Sequence, residues 1–230
     1  MPTEANHDLK NYAYQTLKER LINCVYEPGS LLKEGQLAEE LDLSRTPIRE
    51  ALNRLETDGF VKILPKKGIY VPEIQLSDIL QIFQARIEVE PITLKMAAPH
   101  LPGEELLRFR DAFSSGSPRP KDILKLDMAM HLFFIEHCGN YYLIDMMHRL
   151  FDNNTKFFIA SRQESLDMST CCQEHMDIIT LLLEKNYEKA QALLHNHIAR
   201  SRQNTLDFLT FRDAYFTSPA AAYKKSTTSR

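Results

Sequence analysis

Three histidines and one aspartate, Asp127, His131, His175 and His197, are the residues of this chain best suited to bind a ligand. Each interrupts an apolar stripe of a predicted helix, and Asp127 and His131 stand four residues apart on one face. A single histidine in such a place is usually a hydrogen-bonded core residue. Four together predict a divalent metal site, because imidazole suits Zn, Ni, Fe or Mn and a carboxylate balances charge.

A second polar intrusion occurs on the predicted helix over 77–98. Arg86 and Glu90 lie four residues apart on a stripe formed by Ile79, Phe83 and other apolar residues. The spacing favours an ion pair within the helix. The alternative is that Arg86 clamps the carboxylate of a bound effector through two parallel hydrogen bonds.

A third group has the chemistry of a DNA-reading surface. Ser44, Arg45, Thr46 and Arg49 stand at the start of a predicted helix. The planar guanidinium of arginine reaches O6 and N7 of guanine together. Serine and threonine hydroxyls donate to phosphate, aided by the helix N-terminus. The hairpin that follows adds positive charge, with Lys67 beside Gly68 at its tip.

The elements around this group predict a winged helix-turn-helix. Apolar residues recur at helical spacing over 9–25 and 34–41, and a third helix begins at Ser44 or Thr46, which would cap it. Two β-rich runs, 61–64 and 69–71, are joined by a turn and predict a hairpin. Helix, helix, turn, helix and hairpin is the order of that motif.

The rest of the chain is predicted to be helical throughout. We expect a mainly α protein with a DNA-binding domain at 1–74, an all-helical bundle that binds an effector and dimerises at 75–215, and a loose tail at 216–230. The scarcity of glycine, 7 in 230 residues, argues against a large β-sandwich or a glycine-rich nucleotide fold. The predicted helices of the bundle cover 77–98, 103–114, 121–138, 140–162, 167–185 and 187–211.

The net charge of −3 argues against nucleic-acid binding until it is divided along the chain. Residues 1–74 contain 10 basic and 12 acidic residues, and residues 75–230 contain 18 and 19. The basic residues of the first part concentrate on the third helix and the hairpin tip, the two elements that would face DNA.

The sequence also contains no long apolar span and no signal peptide, so we expect a cytoplasmic protein. Its four cysteines are expected to be free thiols.

The N-terminal part resembles the GntR family of bacterial transcription regulators. The resemblance covers residues 9–74 and implies a homodimer on a palindromic operator, with DNA contacts from Ser44, Arg45, Thr46, Arg49 and Gly68. Gly35 stands where some relatives carry a base-contacting arginine. The residues that carry the resemblance are Pro28-Gly29, Leu37-Ala38-Glu39, the run Leu43 to Leu52, Leu55-Glu56, Gly59 and Lys67-Gly68.

The C-terminal part resembles the FCD branch of the same family, an all-helical effector-binding domain. The motifs are Asp127-x-x-x-His131, Gly139-Asn140, Glu174-His175 and His197-Ile198. The resemblance implies that Asp127, His131, His175 and His197 bind a metal that helps to hold a small carboxylate effector.

We therefore expect a ligand-responsive transcription regulator, usually a repressor, rather than an enzyme. The competing class is a metal-dependent enzyme acting on a small carboxylate, since such ligand sets with open positions also suit hydrolases and oxygenases. No further inward glutamate, serine or lysine is evident as a base or nucleophile, and an enzyme would leave the winged domain unexplained. A constitutive architectural DNA-binding protein is a third class, which the buried polar groups disfavour.

Overall fold

The chain divides into two compact units. The structure, a computed structural model, describes residues 4–115, 120–161 and 169–217. The first unit comprises Met1–Ile79 with Arg149–Arg162, and the second comprises Leu80–His148 with Gln163–Arg230. The described part is mainly helical, as predicted, with one small sheet.

The first unit contains the predicted winged helix-turn-helix. Its core consists of apolar side chains from all three helices and from the sheet, among them Leu17, Leu37, Leu55 and Ile69. The elements are α1 (Glu4–Ile22), β1 (Leu31–Leu32), α2 (Glu34–Glu40), α3 (Arg45–Thr57), β2 (Lys62–Leu64) and β3 (Gly68–Tyr70).

The sheet has three antiparallel strands in the order β1-β3-β2. The hairpin of β2 and β3 is the predicted one, with Ile63 opposite Ile69. Strand β1 was not predicted, because two residues are too few to show an alternating pattern. Its Leu32 pairs with Ile69 and ties the wing to the segment before α2.

Helix α3 separates an apolar face from a polar one. Ile48, Leu52 and Leu55 are buried. Ser44 occupies the N-cap position in an extended conformation, as predicted, but its side chain makes no capping hydrogen bond. The Ser44 hydroxyl is exposed instead, at the surface that would meet DNA.

The second unit is built from helices, as predicted. Helix α9 continues to Thr217, six residues beyond the predicted end, so Phe216 and Thr217 are helical and 218–230 of the predicted tail lie outside the described residues. The remaining elements are α4 (Leu76–Ala97), a 3-10 turn (Ala98–His100), α5 (Gly103–Ser115), α6 (Pro120–Glu136), α7 (Tyr141–Ser161), α8 (Ser169–Leu183) and α9 (Tyr187–Thr217).

Helix α7 contributes residues to both units. Within the first unit, Asp152 of α7 pairs with Lys18 of α1 at 2.6 Å. The Lys156 ammonium donates to the carbonyl of Pro72 at 3.2 Å. Domain boundaries at 74 and 215 stay a prediction.

The wing offers a test of this architecture. Gly68 has φ +132°, and a Cβ atom there would lie 2.6 Å from the carbonyl oxygen of Leu32. We expect Gly68→Ala to lower the free energy of unfolding of the first unit by about 1–3 kcal/mol, measured by urea denaturation. Gly35→Ala is the matched control, because Gly35 is helical and a Cβ there meets nothing within 4 Å. The control should be neutral or more stable by up to about 1 kcal/mol, and a Gly68→Ala protein as stable as wild type would contradict the packing of the wing.

Candidate metal centre and DNA-reading surface

The four predicted ligands converge in the second unit. Helix α6 provides Asp127 and His131 from consecutive turns, α8 provides His175 and α9 provides His197. All four are buried, and one ligand atom from each lies within 4.8 Å of the others. The pattern of polar residues on apolar stripes thus predicted a true cluster of side chains.

Two of the distances within the cluster match neighbouring positions around a metal ion, and the other two are longer. Nε2 of His175 lies 3.1 Å from Nε2 of His197 and 3.1 Å from Oδ1 of Asp127. The same Asp127 oxygen lies 3.7 Å from Nε2 of His131 and 4.0 Å from Nε2 of His197. Ligand atoms about 2.1 Å from a metal lie about 3 Å apart at adjacent octahedral positions and about 3.4 Å apart at tetrahedral ones. The residues present therefore fit a divalent ion.

In two of the histidines, the ring nitrogen that points away from the centre, Nδ1, is hydrogen-bonded to a carboxylate. Nδ1 of His197 donates to Oε2 of Glu174 at 2.8 Å, and Nδ1 of His131 donates to Oε2 of Glu90. A neutral histidine whose Nδ1–H donates a hydrogen bond carries its lone pair on Nε2, which here faces the centre. Both glutamates are buried. This is the arrangement that metal-binding histidines commonly have.

Each of these glutamates also pairs with an arginine. Arg86 Nε donates to Oε1 of Glu90 at 2.5 Å, and Arg200 contacts Oε1 of Glu174. The expected ion pair between Arg86 and Glu90 within α4 is thus present. The role of Arg86 towards an effector stays a prediction.

The sequence did not reveal what Glu174 does. It stands beside His175 in the chain but contacts His197 on the next helix, so no spacing rule connects the two. Glu90 was visible as a polar residue on an apolar stripe, but its contact with His131 was not.

The protonation of the cluster suits metal binding. Burial lowers the pKa of His175 below its ordinary value, and burial together with neighbouring His175 lowers the pKa of His197 to about 3. Burial opposes ionisation of Asp127, but His131, His175 and His197 outweigh it and hold the pKa of that carboxyl well below its usual range. Neutral imidazoles and an ionised carboxylate are the forms that bind a metal.

The third histidine has a different neighbour. Nδ1 of His175 lies 3.9 Å from Sγ of Cys171, and the same sulfur lies 3.7 Å from Oδ1 of Asp127. Burial and the charge of Asp127 raise the pKa of the Cys171 thiol, so it stays protonated. The ring of Phe113 packs against His175 at 4.7 Å between ring centres. All four cysteines are free, as predicted.

In the first unit, the predicted DNA-contacting residues lie on exposed parts of two elements. Ser44, Arg45, Thr46 and Arg49 are exposed at or near the start of α3. Lys67 is exposed in the turn between β2 and β3, and Gly68, the first residue of β3, is half-buried. Their contacts with DNA stay a prediction.

The sequence did not indicate a partner for Arg49. Its Nε donates to Oε2 of Glu34, at the first turn of α2, over 2.8 Å. A contact between two exposed side chains of different helices leaves no periodic signal. It holds the Arg49 guanidinium near the start of α2.

Among the described residues, no helix is both long and apolar enough to cross a membrane.

Several known proteins resemble this chain along most of its length. The Nta operon transcriptional regulator of Aminobacter aminovorans is 26% identical over 192 residues, which cover 82% of this chain and 90% of that protein. The HTH-type transcriptional repressor GlaR of Escherichia coli (strain K12) is 25% identical over 198 residues, or 80% of this chain and 90% of that protein. Among solved structures, E. coli McbR/YncC has a similar fold, with a TM-score of 0.71, 22% identity, and coverage of 89% and 98% of the two chains.

Two family models together match both parts of the chain. The model described as "Bacterial regulatory proteins, gntR family" matches residues 9–71, and the FCD domain model matches residues 81–200. The resemblance inferred from the sequence motifs is thereby confirmed. The chain belongs to the GntR family of bacterial regulatory proteins, carries an FCD domain, and is a DNA-binding transcriptional regulator.

Proposed function

We propose that this regulator is a cytoplasmic homodimeric repressor whose FCD domain binds one divalent metal ion and, next to it, a small carboxylate effector. The observation that carries the proposal is the buried cluster of Asp127, His131, His175 and His197. Repression is proposed because the relative GlaR is named a repressor.

The metal explains why so many polar groups are buried together. Three imidazoles and a carboxylate inside a helical core are costly unless something satisfies their inward-facing atoms. Nε2 of His175 and Nε2 of His197 lie 3.1 Å apart, and Nδ1 of His197 already donates to Glu174. A cation between the two Nε2 atoms would bind the lone pairs of both rings.

The charge around the centre supports an anionic effector. Asp127, Glu90 and Glu174 supply three negative charges, and Arg86 and Arg200 supply two positive ones. With neutral histidines, a divalent cation leaves one net positive charge, which one carboxylate neutralises. Four protein ligands also leave two positions of an octahedral site for oxygen atoms of the effector. Arg86 adds positive charge beside the same cluster.

The DNA-binding part supports sequence-specific binding to an operator. Arg45 and Arg49 project from the exposed face of α3, whose opposite face fills the core of the unit. The weakly acidic charge of the whole chain gives little non-specific attraction to DNA, so affinity depends on these local contacts and on two copies binding two half-sites. For the effector to regulate, it must bind the DNA-competent and the DNA-incompetent states with different affinity.

The enzyme alternative rests on the same open coordination positions. Against it, the carboxylates beside the cluster are already engaged. Glu90 accepts from His131 and pairs with Arg86, and Glu174 accepts from His197 and pairs with Arg200. With both oxygens of each carboxylate paired, neither glutamate is a ready general base.

Replacing two arginines of α3 tests the DNA-binding surface. We expect Arg45→Ala combined with Arg49→Ala to weaken binding at least about 30-fold, because each base contact contributes about 1–3 kcal/mol. The probe is a duplex that the wild-type protein selects from a random-sequence library, and binding is measured by fluorescence anisotropy. Arg108→Ala is the control, because Arg108 is an exposed arginine of α5 in the other unit. Undiminished affinity of the double variant, with a native circular dichroism spectrum, would refute the assignment.

Elemental analysis tests the metal. Protein purified without chelators or nickel affinity should contain about one divalent ion per chain after exchange into metal-supplemented buffer. His175→Ala combined with His197→Ala should lose that ion, whereas His195→Ala should keep it, because His195 is exposed two residues from His197 on the same helix. A wild-type protein that retains no zinc, nickel, iron or manganese would refute the metal site.

Calorimetric titration tests the effector. A panel of small mono-, di- and tricarboxylates is added to the metal-loaded and the metal-free protein. We expect at least one compound to bind only the metal-loaded form and to lower its affinity for the selected duplex. Arg86→Lys should weaken that binding, because an ammonium cannot form the two-pronged contact of a guanidinium. Multiple turnover of any compound in these mixtures would favour the metal-dependent enzyme instead.

A further inference from the structure

We infer that Glu90 and Glu174 are positioning residues that set the affinity of the centre for its metal, one through His131 and the other through His197. The inference rests on the proposed metal site and assigns a role to two residues that are not themselves ligands.

The two glutamates use their oxygens in the same way. In each glutamate, Oε2 accepts a hydrogen bond from Nδ1 of a histidine, and Oε1 pairs with the guanidinium of an arginine. The chain thus repeats one arrangement, arginine to glutamate to histidine, on two sides of the cluster. The arginine fixes the carboxylate, and the carboxylate fixes the tautomer and the rotation of the ring. Each ring then presents Nε2 to the centre.

The negative charge of each glutamate matters as well as its position. A carboxylate that accepts a hydrogen bond from Nδ1–H makes the imidazole more basic, so the lone pair of Nε2 binds a metal more strongly. The guanidinium of Arg86 lies 2.5 Å from Oε1 of Glu90, and this buried ion pair favours the charged form of the carboxylate. Replacing the carboxylate by an amide keeps the shape and a hydrogen-bond acceptor but removes the charge.

The two arrangements differ in their helices and in their exposure. Glu90 belongs to α4, which provides none of the four ligands, so His131 links that helix to the centre. Its arginine is buried, with 3% of the side chain exposed, whereas Arg200 is 47% exposed. Removing the charge of Glu90 leaves Arg86 buried beside a neutral group, whereas Arg200 can turn to solvent. Glu174→Gln is therefore the variant that best separates metal binding from folding.

The experiment compares Glu90→Gln and Glu174→Gln with two matched controls. Glu88→Gln removes an exposed carboxylate of α4 two residues from Glu90, and Asp177→Asn removes an exposed one of α8 three residues from Glu174. Dissociation constants for Zn²⁺ and Co²⁺ are measured by competition with a chromophoric chelator. The visible spectrum of the Co²⁺ form reports the ligand field, which a purely structural role would not change. Urea unfolding of the metal-free proteins reports the fold.

We expect each glutamine variant to bind both ions about 10- to 100-fold more weakly than wild type, with one ion per chain at saturation and a shifted Co²⁺ spectrum. The controls should match wild type. If Glu174→Gln folds and binds Co²⁺ with wild-type affinity and spectrum, the inference is wrong while the metal site stands. If the wild-type protein binds neither ion, the proposed metal site is wrong and the inference falls with it.

Discussion

The hydrogen bonds from Nδ1 of His131 and His197 to buried glutamates fix two of the four clustered side chains, and the proposed metal site depends on them. Without these hydrogen bonds, either ring nitrogen could carry the proton, and Nε2 would not always have a lone pair free to bind a metal. They also join parts of the chain far apart in sequence, because Glu90 is 41 residues from His131 and Glu174 is 23 from His197. Helix α4 is thereby connected to α6, and α8 to α9, through polar contacts.

The helical part therefore combines two kinds of core. At the cluster, the ring of Phe113 packs against His175, and both side chains are buried. Exclusion of water strengthens each charge–charge contact and makes each unmet polar group costly. The winged unit has no such cluster among its described residues, and it positions its arginines by an ordinary amphipathic helix. The candidate binding residues of the helical unit are buried, whereas those of the winged unit are exposed at its surface.

Much of the fold and of the two candidate sites could be predicted from the sequence, because the buried and exposed residues of each helix recur with the helical period. The buried positions of Asp127, His131, His175 and His197 and the exposed positions of the α3 arginines follow from helical spacing, as do most helix bounds. Three features could not. Strand β1 is too short for a pattern, the contact of Glu34 with Arg49 joins two helices, and Glu174 lies about 100° around α8 from its neighbour His175. Contacts between elements, unlike faces of one element, leave no regular mark in the chain.

The position of Cys171 bears on which metals the proposed site would accept. Its sulfur lies 3.7 Å from Oδ1 of Asp127 and 3.9 Å from Nδ1 of His175, beside the four converging residues but not one of them. Those four residues offer nitrogen and oxygen atoms alone. Such ligands bind divalent ions in the general order of complex stability, in which copper exceeds nickel and zinc, and these exceed iron and manganese. If the site binds a metal as we propose, its occupancy would depend on the concentrations of free ions, so the same chain would carry different metals in differently supplied cells.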